Sequence, residues 1–290
     1  MIELPKIIKT VPAMLMMALT AFAANSIFCR LALEQPSIDA ASFTSLRLIS
    51  GSIALVVFCR SVENSWKISR PEIIPVIALF VYMICFSFAY IKLSAGTGAL
   101  LLFGFVQLTM LGVALFQGKR ISLIAWLGLV TAMSGLTYLV FPGVSAPEPF
   151  YASLMAAAGV AWGIYSLAGA SAVNATSSTT SNFLYASALA LIVSLFTLRS
   201  SYFTPQGVGL ALASGIFASG LGYAIWYRVL PLVPVTSAAS LQLLVPALAA
   251  LGGIIFINEP LTLRLLISVL LIVGGIAIVI LQNEKTTDNK

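Results

Sequence analysis

The sequence predicts an all-α membrane protein of ten transmembrane helices. Three observations carry that expectation. Hydrophobic residues make up 60% of the chain and charged residues only 8%, with a mean hydropathy of +1.06, whereas soluble domains hold charge near a quarter of their residues. The apolar residues fall into stretches of roughly 20, the length that crosses ~30 Å of hydrocarbon as a helix. The joints between them, such as Glu34–Asp39, Arg60–Glu72 and Pro142–Glu148, are too short for a soluble catalytic or nucleic-acid-binding module.

The first span, Pro12–Leu33, follows Lys6 and Lys9 and contains Asn25. Its start mimics a secretory signal ending at Ala21-Phe22-Ala23, but the run continues through Leu33, longer than a signal core, and is expected to stay. Ala40–Cys59 holds Leu46-Arg47, and Ile73–Ile91 carries Tyr82, Phe86 and Tyr90 at helical spacing. Ala95–Phe116 opens on the small-residue turn Ser94-Ala95-Gly96-Thr97 and contains Gln107; Ile121–Phe141 contains Gly135. Pro149–Ser171 presents Trp162 and Tyr165 on one face, with Gly159 and Gly163 in a GxxxG pattern that favours close helix packing. Thr179–Leu198 begins in the polar run Thr176–Asn182, expected as a solvated joint and helix start. Val208–Tyr227 carries Tyr223, Trp226 and Tyr227, Val235–Ile257 carries Gln242 and Pro246, and Leu261–Leu281 carries Gly274-Gly275.

Basic residues divide unevenly between alternate joints. Lys6, Lys9, Arg60, Lys67, Arg70, Lys119, Arg120, Arg228, Lys285 and Lys290 fall on the side of both termini, against Arg30, Lys92, Arg199 and Arg264 opposite. The positive-inside rule then places both termini in the cytoplasm of an inner-membrane, multi-pass protein. The net charge of +6 reads as topology, not as a footprint for nucleic acid. Cys29, Cys59 and Cys85 lie in separate spans without paired spacing and read as packing residues.

A shift of 140 positions lays Leu101–Val140 over Leu241–Ile280 with seven identities in forty. Four are Leu, so the weight rests on Gly112 with Gly252, Phe116 with Phe256 and Gly135 with Gly275. Two halves follow, about 1–145 and 146–290. Five spans is odd, so the second half enters the membrane from the opposite side, as in transporters whose substrate sits at the midplane between inverted repeats.

Over essentially its whole length the chain resembles the drug/metabolite transporter superfamily, and most of all its EamA-type exporters. The resemblance rests on Leu46-Arg47, Ser94-Ala95-Gly96-Thr97, the run Leu243-Leu244-Val245-Pro246-Ala247-Leu248 leading to Asn258-Glu259-Pro260-Leu261-Thr262, and Gly274-Gly275. Gly118-Lys119-Arg120 departs from it, carrying no acidic counterpart of Glu259. The resemblance implies a ten-helix basket around a cavity, bordered by the first, fourth and ninth helices, and export of small metabolites or drugs.

The chain has no His, and its nine acidic residues all lie in or near joints and tails. A mid-membrane carboxylate or His relay is therefore missing, which points to facilitated or exchange transport, or to coupling through a group near a mouth such as Glu34 or Glu259. No metal cluster, activated nucleophile or phosphate-cradling loop is present, so no enzyme activity and no cofactor are expected. Arg47 is the one charge well inside a span: it either snorkels and packs, or anchors a substrate carboxylate or phosphate. Asn25, Gln107 and Gln242 are expected to face the bundle, either bonding between helices or lining the cavity. Tyr82, Trp162, Tyr165 and Tyr223 are expected to form an aromatic wall for amphipathic ligands, while Tyr90, Trp226 and Tyr227, nearer span ends, fit an interfacial belt. Pro246 is expected to kink the ninth span and serve a gate. The expectation is a secondary exporter of small amphipathic molecules, amino acids or derivatives first. A drug or nucleobase exporter is the alternative, and a transmembrane enzyme or scaffold the reading from outside carriers. The expected partners are a small-molecule substrate and the lipid bilayer, with no obligate protein partner.

Overall fold

The computed structural model describes residues 4–288 apart from 36, 64–67, 69, 119–121, 144–145, 171, 173, 230–231 and 233–240. Its helices in chain order are α1 (Leu4–Glu34), α2 (Ala40–Phe58), α3 (Ile73–Ala89), α4 (Ala95–Phe116), α5 (Leu123–Val140), α6 (Pro149–Ala170), α7 (Ala175–Thr197), α8 (Pro205–Val229), α9 (Leu244–Ile257) and α10 (Leu263–Asp288). Seven of these, among the described residues, are long and apolar enough to cross a membrane. Ile73–Ala89, Leu244–Ile257 and Leu263–Val279 are shorter apolar stretches. The chain is thus an all-helical, multi-pass membrane protein. Positions 235–240 of the expected ninth span lie outside the described residues.

Polar joint residues set where helices start, because each helix opens with amides that lack an intrahelical partner. Asp39, Ser94, Ser122, Asn174 and Thr204 each accept a hydrogen bond from the amide three residues on, and Pro205 takes the first position of α8. Thr262 does the same for Leu265 at the head of α10. Asn258, in the left-handed region at φ 58°, ends α9. The third helix stops at Ala89, two residues earlier than expected, because Ile91 and Lys92 turn back onto the carbonyls of Phe88 and Ala89.

Alternate joints meet at one end of the bundle. Ile38 pairs with Phe203, tying the α1–α2 joint to the α7–α8 joint. Arg30 of α1 donates to the carbonyls of Tyr90 and Ile91 beyond α3, and Arg264 of α10 donates to Leu139 and Phe141 at the end of α5. Laterally, α5 packs on α10, α6 on α3 and α4, α1 on α8 and α9, α2 on α7 and α8, and α4 on α9.

Lipid offers no hydrophobic drive between helices, so small residues and buried hydroxyls hold these seams. Along α2 and α7 a ladder repeats every seventh residue: Ser45–Ser194 at 2.8 Å, Ser52–Ser187 at 3.1 Å and Cys59–Thr180 at 3.3 Å. The numbering runs in opposite senses, so the two helices are antiparallel. Gly159 seats α6 against Leu102 and Phe105, and Gly163 against Val106 and Thr109, as the GxxxG spacing predicts. Cys29, Cys59 and Cys85 form no disulfide among the described residues.

In α8 the α-helical pitch gives way to a π-helical stretch, Ser214–Leu221, beside α2. A Cβ at Gly215 would strike the Ser50 hydroxyl and the Arg47 carbonyl, whereas one at Gly209 would meet nothing within 4 Å. Gly215→Ala is therefore expected to destabilise the detergent-solubilised protein by about 1–3 kcal/mol through overpacking. Gly209→Ala should be neutral or gain about 0.5–1 kcal/mol of helix propensity; paired thermal-unfolding curves check both.

Candidate functional site

The helices converge on a plug of aromatic rings. Phe22, Asn25 and Ser26 from α1, Tyr82 and Phe86 from α3, Leu102 and Phe103 from α4, Trp162 from α6, and Ala218 and Tyr223 from α8 enclose a central cavity of about 20 Å³, room for about one water. Spacings of three and four residues put Phe22 with Asn25 and Ser26, and Tyr82 with Phe86, each on one helix face. Trp162 is the hub. Its ring lies 4.9 Å from Tyr82, 5.0 Å edge-on to Tyr223 and 5.4 Å, stacked, from Tyr165. Phe22 closes the cluster edge-on to Tyr223 at 5.6 Å and to Trp226 at 5.8 Å.

Four of the expected site residues, Asn25, Tyr82, Trp162 and Tyr223, thus line one cavity. Tyr165 backs it, its hydroxyl donating to Thr179 at 3.1 Å, and the Asn25 side-chain carbonyl accepts from Ser214 of α8 at 2.6 Å. Gln107 and Gln242 are buried but are not lining residues. Pro246 stands in the first turn of α9: Leu241 and Gln242 are helical, Leu243 is a turn residue still near helical angles at φ −67° and ψ −14°, and the helix resumes at Leu244. Proline has no amide to give the carbonyl four residues back, so the helix breaks just before it.

Arg47 sits behind the Tyr82–Phe86 wall, fully buried. Its Nε donates to the Ser219 hydroxyl at 2.9 Å and its Nη2 to the Tyr82 hydroxyl at 3.3 Å. The guanidinium carbon lies 4.9 Å from the Phe86 ring centre and 5.6 Å from that of Tyr82. It does not snorkel to a mouth.

Two expectations are corrected. Tyr90, Trp226 and Tyr227 form no interfacial belt: all are buried, and the Tyr90 hydroxyl donates to the Ala95 carbonyl. The Thr176–Asn182 run is no solvated joint, because Thr176, Thr179, Thr180, Ser181 and Asn182 are buried. Hydroxyls enter a bundle readily when they bond a carbonyl one turn back, as Thr180 does to Thr176. Sequence pattern alone does not mark Phe22 or Ser26, although Phe22 shares a face with Asn25. Ser219 reads in sequence only as a small residue spaced four from Gly215, and its bond to Arg47 is not legible there.

At the end where alternate joints meet, Glu259 links three elements. The Ala95 amide at the head of α4 donates to both Glu259 carboxylate oxygens at 2.9 Å. Arg30 approaches one of them at 3.5 Å while pairing with Glu34 at 2.7 Å. Burial raises the Glu259 carboxyl above the usual range, and the Ala95 amide and Arg30 offset this only in part. A carboxyl raised on folding stabilises the fold below its ordinary value and loses that contribution as pH climbs through the raised one. Stability should therefore fall as pH rises from 4.5 through the shifted value. Glu259→Gln, which keeps an oxygen for the Ala95 amide, should flatten that slope in thermal melts across the acidic range.

Residues 149–281 match the model of the EamA-like transporter family. An uncharacterized protein of Pseudomonas aeruginosa is 44% identical, the alignment covering 91% of this chain and 92% of that one. Threonine/homoserine exporter RhtA of Escherichia coli K12 is 27% identical over 78% of this chain and 77% of its own. An uncharacterized transporter of Archaeoglobus fulgidus is 25% identical over 82% and 88%. A protein of known crystal structure, 20% identical, superposes with a TM-score of 0.66 over 92% of this chain and 97% of its own, and so shares the fold. The chain belongs to the EamA-like transporters of the drug/metabolite transporter superfamily.

Proposed function

We propose that the protein is a secondary exporter of the cytoplasmic membrane that moves small amphipathic metabolites, amino acids or their derivatives first, by alternating access between two inverted five-helix halves, 1–145 and 146–290. Both termini face the cytoplasm. No cofactor, enzymatic step or obligate protein partner enters the cycle.

The pattern of helix packing carries this reading. If each helix is exchanged for the one five places along, the pair α3·α6 becomes α8·α1, α4·α6 becomes α9·α1 and α2·α8 becomes α7·α3, all of them packed pairs, while α2·α7, α4·α9 and α5·α10 map onto themselves. Side chains follow the same rule. Gly135 meets Ile272 and Gly275 meets Ala132, positions interchanged by the shift of 140, and the ladder of α2 and α7 turns end for end about Ser52–Ser187. Such reciprocity suits halves related by a two-fold axis, and antiparallel seams put that axis across the helices, in the plane of the membrane.

The cavity lies where these halves meet. At about 20 Å³ it is far below the ~300 Å³ at which ligand pockets begin, so binding requires the aromatic plug to part, with Asn25, Arg47, Tyr82, Gln107, Trp162, Tyr165, Tyr223 and Gln242 as the surfaces that open onto substrate. The broken helix before Pro246 is the hinge of that gate. The Glu259 link to α4 and Arg30 is the contact that must release on its side.

Purified protein in liposomes tests the proposal. Labelled threonine or homoserine should show saturable uptake accelerated by unlabelled substrate inside, and a nucleobase and a drug arm probe the alternative. No movement above protein-free vesicles for any arm overturns the carrier. Trp162→Ala should raise the half-saturating concentration about tenfold by removing the hub ring, and Pro246→Ala should slow turnover about tenfold, near 1.4 kcal/mol of barrier; unchanged kinetics in Pro246→Ala exclude the hinge.

A further inference from the structure

The Arg47 guanidinium is buried without an anion. Its hydrogen bonds go to two hydroxyls and its plane lies over two rings, its Nη1 has no hydrogen-bond partner, and neither Arg30–Glu34 nor Arg30–Glu259, the salt bridges found among the described residues, reaches it. A guanidinium cannot shed its proton, and a buried charge with no counter-ion costs several kcal/mol; ring faces and hydroxyls offset only part of that. Gln107 Nε2 on α4 is likewise buried with no acceptor, and the Asn25 carbonyl is already taken by Ser214. The wall of the central cavity is therefore backed by a fixed positive charge that keeps a spare donor. What it lacks is an acceptor carrying negative charge. The two rings that cover Arg47, Tyr82 and Phe86, are also walls of the central cavity, so a molecule that parts the plug reaches the guanidinium first.

We infer that the transported molecule carries an oxyanion, a carboxylate before a phosphate, which docks on Arg47 when Tyr82 swings away. The inference rests on the exporter reading and narrows its substrate class: neutral analogues bind weakly, and organic cations of the same size are rejected by the charge they would meet.

The test uses the purified full chain in detergent and matched probes of one shape. Benzoate, whose ring suits the aromatic wall, should stabilise the protein in thermal-shift titrations at concentrations about tenfold or more below benzamide, and benzylammonium should give no shift. Phenyl phosphate separates the two oxyanions: tighter binding than benzoate keeps the anion requirement and assigns it to phosphate. Arg47→Met, which keeps an unbranched apolar stem and removes the charge, should erase the preference, and Arg47→Lys should restore part of it. Equal shifts for benzoate and benzamide, no shift with either, or a preference that survives Arg47→Met overturn the inference. Saturable vesicle transport of a neutral solute alongside any of those results leaves the exporter standing and only the anion requirement refuted. Failure of all transport with the benzoate preference intact does the reverse.

Discussion

A polar group left unpaired in hydrocarbon costs several kcal/mol, because no water is at hand to replace its lost partner. The bundle meets that constraint almost everywhere from within. Backbone amides are spent inside helices, and the first turns are closed by Asp39, Ser94, Ser122, Asn174, Thr204 and Thr262. Ser and Thr hydroxyls return to the carbonyl one turn back, as Thr44, Ser52, Ser87 and Ser187 do. Several then bond a second helix with the same oxygen, so one small side chain both closes a local bond and sets the register of its neighbour.

Close approach follows from the same scarcity. A hydroxyl ladder works only if the backbones come near, and they come near only where side chains are small. Gly128 and Gly275 bring α5 and α10 into backbone contact, and Gly215 does so for α8 and α2. Volume excluded from the seams is concentrated at the centre, where Trp162, Tyr82, Tyr223 and Phe22 fill the space between helices. Tight edges and a plug of large, weakly directional contacts form a bundle whose middle can repack while its seams stay paired.

Among the described residues, Arg30, Arg47, Gln107 and Ser268 each keep a buried polar atom without a hydrogen-bond partner. Glu259 holds its carboxylate on the α4 amide although burial opposes its charge. Local costs of this kind suit a protein that changes state, since a group imperfectly satisfied in one arrangement loses little by moving to another.

Hydropathy and joint composition by themselves determined the solvent, the helical stretches to within a few residues at most ends, and the aromatic faces of α3, α6 and α8, since each depends on residues within a few turns of one another. GxxxG packing of α6 was legible for that reason, and so was a cavity wall of Tyr82, Trp162 and Tyr223. What only tertiary structure decided was what each face meets. Tyr90 and Trp226 look like interfacial anchors by their place near helix ends, yet neighbouring helices cover them. Thr176–Asn182 looks like a solvated joint by its polarity, yet Tyr165 and Cys59 reach its hydroxyls. Ser219 shows only as a small packing residue spaced four from Gly215, and that its hydroxyl accepts from Arg47, on a helix 172 residues away in sequence, is decided by the fold. Burial of a polar side chain is settled by partners far away in the chain, and hydropathy, a property of neighbours in sequence, carries no record of them.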